Sequence, residues 1–236
     1  GQATIPSDTA CFPAKLSHGH IKALSQMQLD AIFYPCLTYN VDEGLGDNHY
    51  NCPVVAYYPE VLSANMTALQ EVRFMKNYLG PHNEKHFVAK LAEAFQQDHV
   101  TRKEAKEAAA LGYQQQEAYL KDLKRYGKEA IQYARQHHLP IIVLAGRPYH
   151  VDPEINHGID QLITSYGAVV ISEDCLPLAS SRFYTKVLNQ WTYHARLYNA
   201  AHYISQQEDM YLVQMVSFGC GLDAITTDEV RDILEK

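Results

Sequence analysis

Three apolar runs dominate the C-terminal part of the chain. Residues 141–146 form a continuous aliphatic run closed by glycine, which is typical of a strand buried on both faces. Residues 168–172 and 211–217 predict two more strands. The pattern over residues 152–166 and 182–203 predicts a helix between each pair of strands. Strands that alternate with helices in this way predict one half of a doubly wound α/β fold with a parallel sheet.

The N-terminal part shows the same alternation with shorter runs. Apolar residues from Ile21 to Met27 predict a helix, and residues 32–36 and 54–59 predict two short strands. A polar loop rich in Asp, Gly and Asn lies between these strands, over residues 40–51. This part is therefore also predicted to be α/β.

A long helical region is predicted between the two parts. Residues 63–75 contain few helix breakers, and Asn83 is a predicted N-cap for the next helix. Thr101 and Glu104 have the spacing of a capping box, which predicts the start of one long amphipathic helix that runs to about Gln136. A helix of this length more often braces domains than carries chemistry.

Composition excludes several classes of protein. The chain has 236 residues, enough for one large or two small domains, and a net charge of −7. A negative chain has no general attraction to nucleic acid or to an anionic membrane. The sequence shows neither an apolar run that could span a bilayer nor a signal peptide at its start, so we expect a cytoplasmic protein. The chain starts in a turn just before a helix, which predicts that it is part of a longer protein.

Five cysteines are the main candidates for chemistry. Their number is odd and they form no C-x-x-C pair, so in a reducing cytosol the options are burial, redox chemistry and metal binding. Several lie beside Gly or Pro at predicted strand or helix ends, where ligands bind in α/β folds. Thiolates that converge without a histidine motif favour an iron–sulfur cluster over zinc, whereas a single cysteine is more often a packing residue. The five are Cys11, Cys36, Cys52, Cys175 and Cys220.

The loop at residues 146–150, with the sequence GRPYH, is a second candidate. Arg147 follows a predicted strand, where it can pair with a phosphate or a carboxylate, and His150 can donate a hydrogen bond or transfer a proton. The alternative is that Arg147 forms a salt bridge with Asp152 or Glu154. The phosphate-binding loops of ATP and dinucleotide sites are not present in the sequence, so no direct ATP site is predicted.

Lys15 and His20 lie shortly after the first cysteine in the chain. Their positive charge would suit the sulfides of a cluster or an anionic substrate. Residues in such places more often cap a helix and form local hydrogen bonds, and both interpretations stay open.

A specific pattern emerges when five segments are taken together, in their order along the chain. None of them would be specific alone. They are residues 11–15 (CFPAK) with Gly19 and His20, 30–36 (DAIFYPC), 51–54 (NCPV), 145–150 (AGRPYH) and 217–224 (SFGCGLDA).

With these segments the chain resembles the CoA-substrate-specific enzyme activase proteins. In those long proteins, ATPase modules of the actin/Hsp70-like fold are joined to a region similar to the 2-hydroxyacyl-CoA dehydratase subunits. The present chain resembles the dehydratase-like region, over nearly its whole length, and is also similar to double-cubane cluster proteins. The resemblance implies two Rossmann-like lobes with parallel sheets, over residues 1–80 and 139–236, joined by a helical segment over 81–138.

The resemblance also implies an iron–sulfur cluster, 4Fe–4S or larger, held by cysteines between the two lobes. Matched residue by residue, Cys11, Cys36 and Cys220 correspond to the cluster cysteines of the dehydratases. Cys52 is an additional candidate ligand that the simple dehydratase pattern lacks, and Cys175 is left as a packing residue. Positive charge near the cluster or the substrate would come from three further residues, which are Lys15, His20 and Arg147.

Two functions follow from this resemblance. The first is an iron–sulfur redox domain that accepts single electrons from an ATPase activase module, in the same or another chain, and passes them to an acyl-CoA or another small substrate. As an enzyme it would then be a 2-hydroxyacyl-CoA dehydratase-like protein or a component of an ATP-dependent reductase. The second is a cluster-free α/β docking or regulatory module of a CoA enzyme activase, which holds a partner through its long helix and Tyr-rich surface. Zinc in place of the cluster is a third possibility.

Overall fold

A computed structural model gives the structure of the chain, and it describes residues 2–178 and 183–235. The helices are α1 (Phe12–Ser25), α2 (Pro53–Ala56), α3 (Tyr58–Asn65), α4 (Glu84–Ala94), α5 (Arg102–Gln136), α6 (Pro153–Asn156), α7 (Ile159–Ser165), α8 (Thr192–Ile204) and α9 (Gly221–Leu234). The strands are β1 (Ala31–Phe33), β2 (Cys36–Leu37), β3 (Arg73–Met75), β4 (Tyr78–Leu79), β5 (Ile141–Ala145), β6 (Val169–Ser172) and β7 (Met210–Gln214).

The strands pair in parallel and alternate with helices, which confirms the predicted α/β fold. The chain divides into two units. The first contains the chain through Glu43, His49–Gln114 and Ser217–Gly219, and the second contains Gly44–Asn48, Gln115–Val216 and the chain from Cys220 on. Within the described ranges, the helices are too short or too polar to cross a membrane.

The first unit contains two small parallel strand pairs. β1 pairs with β3, with Ala31 opposite Arg73, and β2 pairs with β4, with Cys36 opposite Tyr78. Apolar side chains of α1, β1 and α3 form its main core. The buried members of this core are Ala14, Ile21, Ile32, Tyr58, Leu62, Met66 and Leu69.

Two predictions for the first unit are wrong. Residues 54–59, predicted as a strand, form α2 and the start of α3, because Pro53 at the first helical position fixes a helical backbone angle. Residues 63–75, predicted as one helix, leave α3 after Asn65, form a short 3₁₀ helix over Thr67–Gln70 and end in β3. A strand of three residues is too short to show an alternating pattern, so its parallel partner β1 determines its conformation.

The second unit is built on a three-stranded sheet in the order β6–β5–β7. β5 lies in the centre and is almost completely buried, as its aliphatic run predicts. The chain passes from β5 to β6 on one side and then crosses to β7 on the other side of β5. This reversal creates a topological switch point at the carboxyl ends of β5 and β7, which is where open α/β sheets bind ligands.

The helices of the second unit differ from the prediction at their ends. The helix predicted over residues 152–166 is split into α6 and α7, because His157 and Gly158 adopt left-handed backbone angles, with φ of 53° and 75°. For the helix predicted over residues 182–203, the predicted start at Arg182 lies outside the described residues. α8 itself begins only at Thr192.

The long helix α5 confirms the predicted capping box. Glu104 N donates to Thr101 Oγ1 at 3.2 Å, and Thr101 N donates to Glu104 Oε2 at 2.8 Å. The helix then continues to Gln136 without interruption at Gly112 or Gly127. Gly127 is buried, and a Cβ atom at this position would lie 2.5 Å from Cys175 Cβ and 2.8 Å from Cys175 O.

We expect Gly127→Ala to lower the free energy of unfolding by about 1–2 kcal/mol, because the clash with Cys175 outweighs the better helix propensity of alanine. Gly112→Ala is the matched control on the same helix. A Cβ at Gly112 meets no described atom within 4 Å, so this variant should gain about 0.5–1 kcal/mol. Urea denaturation of both variants measures the two effects, and a gain in both would contradict the close packing of α5 on Cys175.

Candidate functional site

Three of the predicted cluster ligands lie at the starts of helices. Cys11 is the N-cap of α1, Cys52 is the N-cap of α2 and Cys220 is the N-cap of α9. All three are partly exposed, whereas Cys36 and Cys175 are buried, and all five carry thiols rather than disulfides. The amino end of a helix carries a partial positive charge and free backbone N–H groups.

Cys36 has a different environment from the other three predicted ligands. It lies in β2 with none of its surface exposed, and its backbone N donates to Asn77 O at 2.9 Å. Burial, followed by the negative charge of Glu60, raises the pKa of the Cys36 thiol. The structure thus favours a neutral thiol at Cys36, and its role as a ligand stays a prediction.

Cys52 follows a short loop that asparagine side chains hold in place. Asn51 Nδ2 donates to Leu37 O at 2.7 Å, and Asn40 Nδ2 donates to Asn51 Oδ1 at 2.7 Å. The backbone N of Asn51 donates to Thr38 O at 3.0 Å. These bonds fix the start of α2, and with it Cys52, beside the carboxyl end of β2.

In the first unit, the segment Ser217–Gly219 packs against the start of α1. Phe12 N donates to Phe218 O at 3.3 Å, and a Cβ at Gly219 would lie 3.5 Å from Cys11 Cα. Gly219 has a φ of 77°, which other residues rarely adopt, so glycine permits this turn next to Cys11. Cys220 is the next residue in the chain.

The sulfur atoms of these cysteines are of the kind that hold iron–sulfur clusters. Within residues 2–178 and 183–235, no group of three or more His, Cys, Asp or Glu side chains is placed to hold one metal ion. Cys11, Cys36 and Cys52 belong to the first unit and Cys220 belongs to the second. Their role as cluster ligands stays a prediction.

Lys15 and His20 both lie on α1. Lys15 is one helical turn after Cys11, and its Nζ donates to Asp8 O at 2.7 Å. His20 is exposed on the same helix. The hydrogen bond of Lys15 holds the N-terminal segment against α1, which is the local role that the sequence left open.

A buried polar cluster of the second unit surrounds Arg147, at the switch point. Arg147 follows β5, and its Nη2 donates both to Asp223 Oδ1 and to His194 Nε2, the latter at 2.8 Å. Asp223 lies in the first turn of α9, and His194 in the first turn of α8. All three side chains are about nine-tenths buried or more, so this ion pair is shielded from water.

The expected partners of Arg147 were different. The sequence suggested Asp152 or Glu154, but Asp152 instead caps α6, where it accepts a hydrogen bond from Glu154 N at 2.9 Å. The backbone N of Arg147 donates to His150 Nδ1 at 2.9 Å, which closes the turn after β5. His150 is therefore a structural residue of the loop as well as a candidate for chemistry.

His194 is neutral in this cluster, and its tautomer follows from its partner. Burial, and then the positive charge of Arg147, lowers the pKa of His194 to about 3. Because a guanidinium can only donate, Nε2 must accept, and the ring proton is on Nδ1. Nδ1 of His194 and Nη1 of Arg147 are both buried and have no hydrogen-bond partner among the described residues. A buried donor left in this state costs about 1–3 kcal/mol.

Glu173 is a further buried acid at the same edge of the sheet. It directly follows β6, is only 6% exposed, and accepts a hydrogen bond from Gly146 N at 3.4 Å. Burial, and then the charge of Asp174, raises the pKa of Glu173 to about 7. Buried groups with shifted pKa values at a strand end are typical of functional sites.

Sequence reasoning missed His194, Glu173 and Asp223. Glu173 and Asp223 could have been found, because Glu173 directly follows a predicted strand and Asp223 lies within the SFGCGLDA segment. His194 shows no local signal of a polar contact, because its partner Arg147 lies 47 residues earlier in the chain.

Comparison with known families adds one finding. The family model of the CoA enzyme activase uncharacterised domain (DUF2229) matches residues 1–176, about three quarters of the chain. The chain belongs to this family.

The match confirms the predicted CoA enzyme activase family. It covers Cys11, Cys36, Cys52 and Arg147, while Cys220 lies beyond the matched range. No curated protein and no solved structure matches the sequence. The resemblance of this CoA enzyme activase domain to dehydratase subunits stays a prediction.

The raised pKa of Glu173 makes the stability of the domain depend on pH. In the unfolded chain this carboxyl has a pKa near 4.5, so below pH 4.5 Glu173 is protonated in both states and does not make stability depend on pH. As pH rises from 4.5 through 7, the folded state holds a proton that the unfolded state has lost, and the free energy of unfolding falls. As pH rises from 4.5 to 8, we expect the free energy of unfolding of Glu173→Gln to increase by about 3 kcal/mol relative to that of the natural chain. Urea denaturation at several pH values measures this difference. The exposed Glu154→Gln is the control, and an equal pH trend in both variants would contradict the burial of Glu173.

The Arg147–Asp223 pair should be far more important for stability than an exposed pair of the same kind. Asp223→Asn leaves the guanidinium buried without its counter-charge, so we expect a loss of about 3–5 kcal/mol. Asp209→Asn is the matched control, because Asp209 accepts from Arg135 at 2.7 Å in a half-exposed pair and should cost about 1 kcal/mol or less. Equal losses in the two variants, measured by urea denaturation, would show that Arg147 is not shielded from water.

Proposed function

We propose that this CoA enzyme activase domain binds an iron–sulfur cluster and transfers single electrons. The observation that carries the proposal is the position of Cys11, Cys52 and Cys220 at the N-caps of three helices. Ser, Thr, Asp and Asn are the residues that cap helices well, and cysteine is not among them. Its use at three helix starts therefore calls for a function of sulfur beyond capping.

The family supports the same proposal. Activation of CoA-dependent enzymes by an ATPase module is a transfer of electrons at low potential in the proteins that this chain resembles. A bound cluster would supply a one-electron carrier here. The electrons would come from an ATPase module of the actin/Hsp70-like fold and go to an acyl-CoA or another small substrate.

The chain's own residues have defined tasks in this proposal. Three partly exposed cysteines would provide thiolates, and these are Cys11, Cys52 and Cys220. Cys36 is a further candidate ligand, but its buried thiol is less accessible to iron than the other three. Lys15, one turn after Cys11 on α1, would place positive charge near the thiolates and offset the negative charge of a reduced cluster. The proposal concerns the protein after loading with iron and sulfide.

Loading without oxygen tests the proposal directly. We expect the natural chain to take up iron and acid-labile sulfide and to develop visible absorbance, and expect Cys11→Ser, Cys52→Ser and Cys220→Ser each to reduce the iron content by half or more. Cys175→Ser is the matched control, because Cys175 lies in the core of the second unit. Unchanged iron in Cys220→Ser would remove that residue from the ligand set, and zinc without sulfide would replace the cluster by a zinc site.

A docking or regulatory module without a cluster is the second candidate, and one observation favours it. Tyr119, Tyr126 and Tyr133 on α5 are each more than half exposed and are spaced by seven residues, which places them along one side of the helix. Amphipathic aromatic side chains of this kind are common in protein interfaces. This candidate predicts no iron after anaerobic loading, together with loss of binding to the activase module when the three tyrosines are changed to serine.

A further inference from the structure

The Arg147 cluster has a surplus of hydrogen-bond donors. Two donors of Arg147 are used, by Asp223 and His194, while its Nη1 amino group is buried and has no acceptor among the described residues. His194 adds a second buried donor, Nδ1, and is only 3% exposed. In folded proteins the great majority of buried donors have a hydrogen-bond partner. The cluster therefore points to acceptor oxygens that the described chain does not supply.

The position of the cluster also points to a ligand. Arg147 directly follows the glycine that ends β5, and Asp223 lies at the start of α9, which follows β7. These are the two strands on either side of the switch point, where open α/β sheets hold small molecules. The first turn of α9 adds a partial positive charge at the same edge.

Charge and size narrow the class of ligand. Arg147 is already paired with Asp223, so a ligand that brings one negative charge to this edge is disfavoured less than a ligand that brings two. Arg147 keeps only 11% of its side chain exposed and its Nη1 is buried, so a ligand must be small enough to enter with a local opening. A carboxylate carries a single charge and pairs well with a guanidinium, whereas a phosphate dianion brings two charges.

We propose that Arg147 binds the carboxylate of a small organic acid through its Nη1 group, at the switch point of the second unit. His194 is a positioning residue, because its neutral ring accepts from Nη2 and holds the guanidinium plane. Gly146 allows His150 to pack closely against the turn, since a Cβ at this position would lie 2.3 Å from His150 Nδ1. The site does not depend on the cysteines and would remain if they held no iron.

Calorimetric titration of the whole chain with sodium acetate, at constant ionic strength set with chloride, tests the proposal. We expect saturable acetate binding that is weakened at least tenfold in Arg147→Lys, because lysine keeps the charge but loses the planar Nη1 donor. Arg135→Lys is the matched control, since Arg135 pairs with Asp209 at the amino ends of β5 and β7 and should leave acetate binding unchanged.

A measurement on the natural chain covers the case in which Arg147→Lys does not fold. Acetate should shift the side-chain ¹⁵N signals of Arg147 and His194 in NMR spectra and leave those of Arg135 in place. Inorganic phosphate, titrated in the same way, should produce no saturable shift. Phosphate binding in preference to acetate, or no shift with either anion, would overturn the carboxylate site, and the second result would show that Arg147 is purely structural.

Discussion

The burial of β5 between β6 and β7 is the constraint on which the second unit depends. Because every residue of this strand except Ile142 is almost completely covered, the strand fixes the direction in which the chain leaves the sheet. Gly146 and Arg147 are the next residues, so a charged side chain starts at the edge of an apolar core. Water is excluded there, which makes the pairing of Arg147 with Asp223 necessary and shifts the pKa values of His194 and Glu173 in the directions that favour their neutral forms.

The parts of the fold that sequence alone could predict are those with strong local signals. The aliphatic run of β5, the capping asparagine before α4 and the capping box of α5 each act within a few residues, and each was found. The short strands β3 and β4 were missed, because their partners β1 and β2 lie about forty residues earlier in the chain. The same limit applies to the site: Asp223 lies 76 residues after Arg147, and no local pattern links them.

The structure explains the Gly and Pro residues beside the cysteines, but it does not explain the cysteines themselves. The sequence places them in turns beside Gly and Pro, and the structure explains these neighbours by local geometry: Pro53 starts α2, and Gly219 makes the turn against Cys11. These roles do not require sulfur. What local geometry leaves unexplained is the choice of cysteine at the N-caps of α1, α2 and α9, where an oxygen-bearing side chain would cap better. The proposed sulfur chemistry therefore rests on these three positions, and the buried Cys36 contributes least to it.

The pKa values of Glu173 and His194 shift in opposite directions, and together these shifts determine how stability at the switch-point edge depends on pH. Glu173, with its pKa raised to about 7, lowers the stability of the fold as pH rises from 4.5 towards 7, whereas His194, with its pKa lowered to about 3, lowers it as pH falls from 6.5 towards 3. Between pH 4.5 and 6.5 the two effects have opposite signs and largely cancel. The edge therefore keeps a nearly constant stability over the range in which both side chains are neutral in the folded state. In that state a monoanion that enters beside the Arg147–Asp223 pair meets a neutral Glu173 rather than a buried carboxylate.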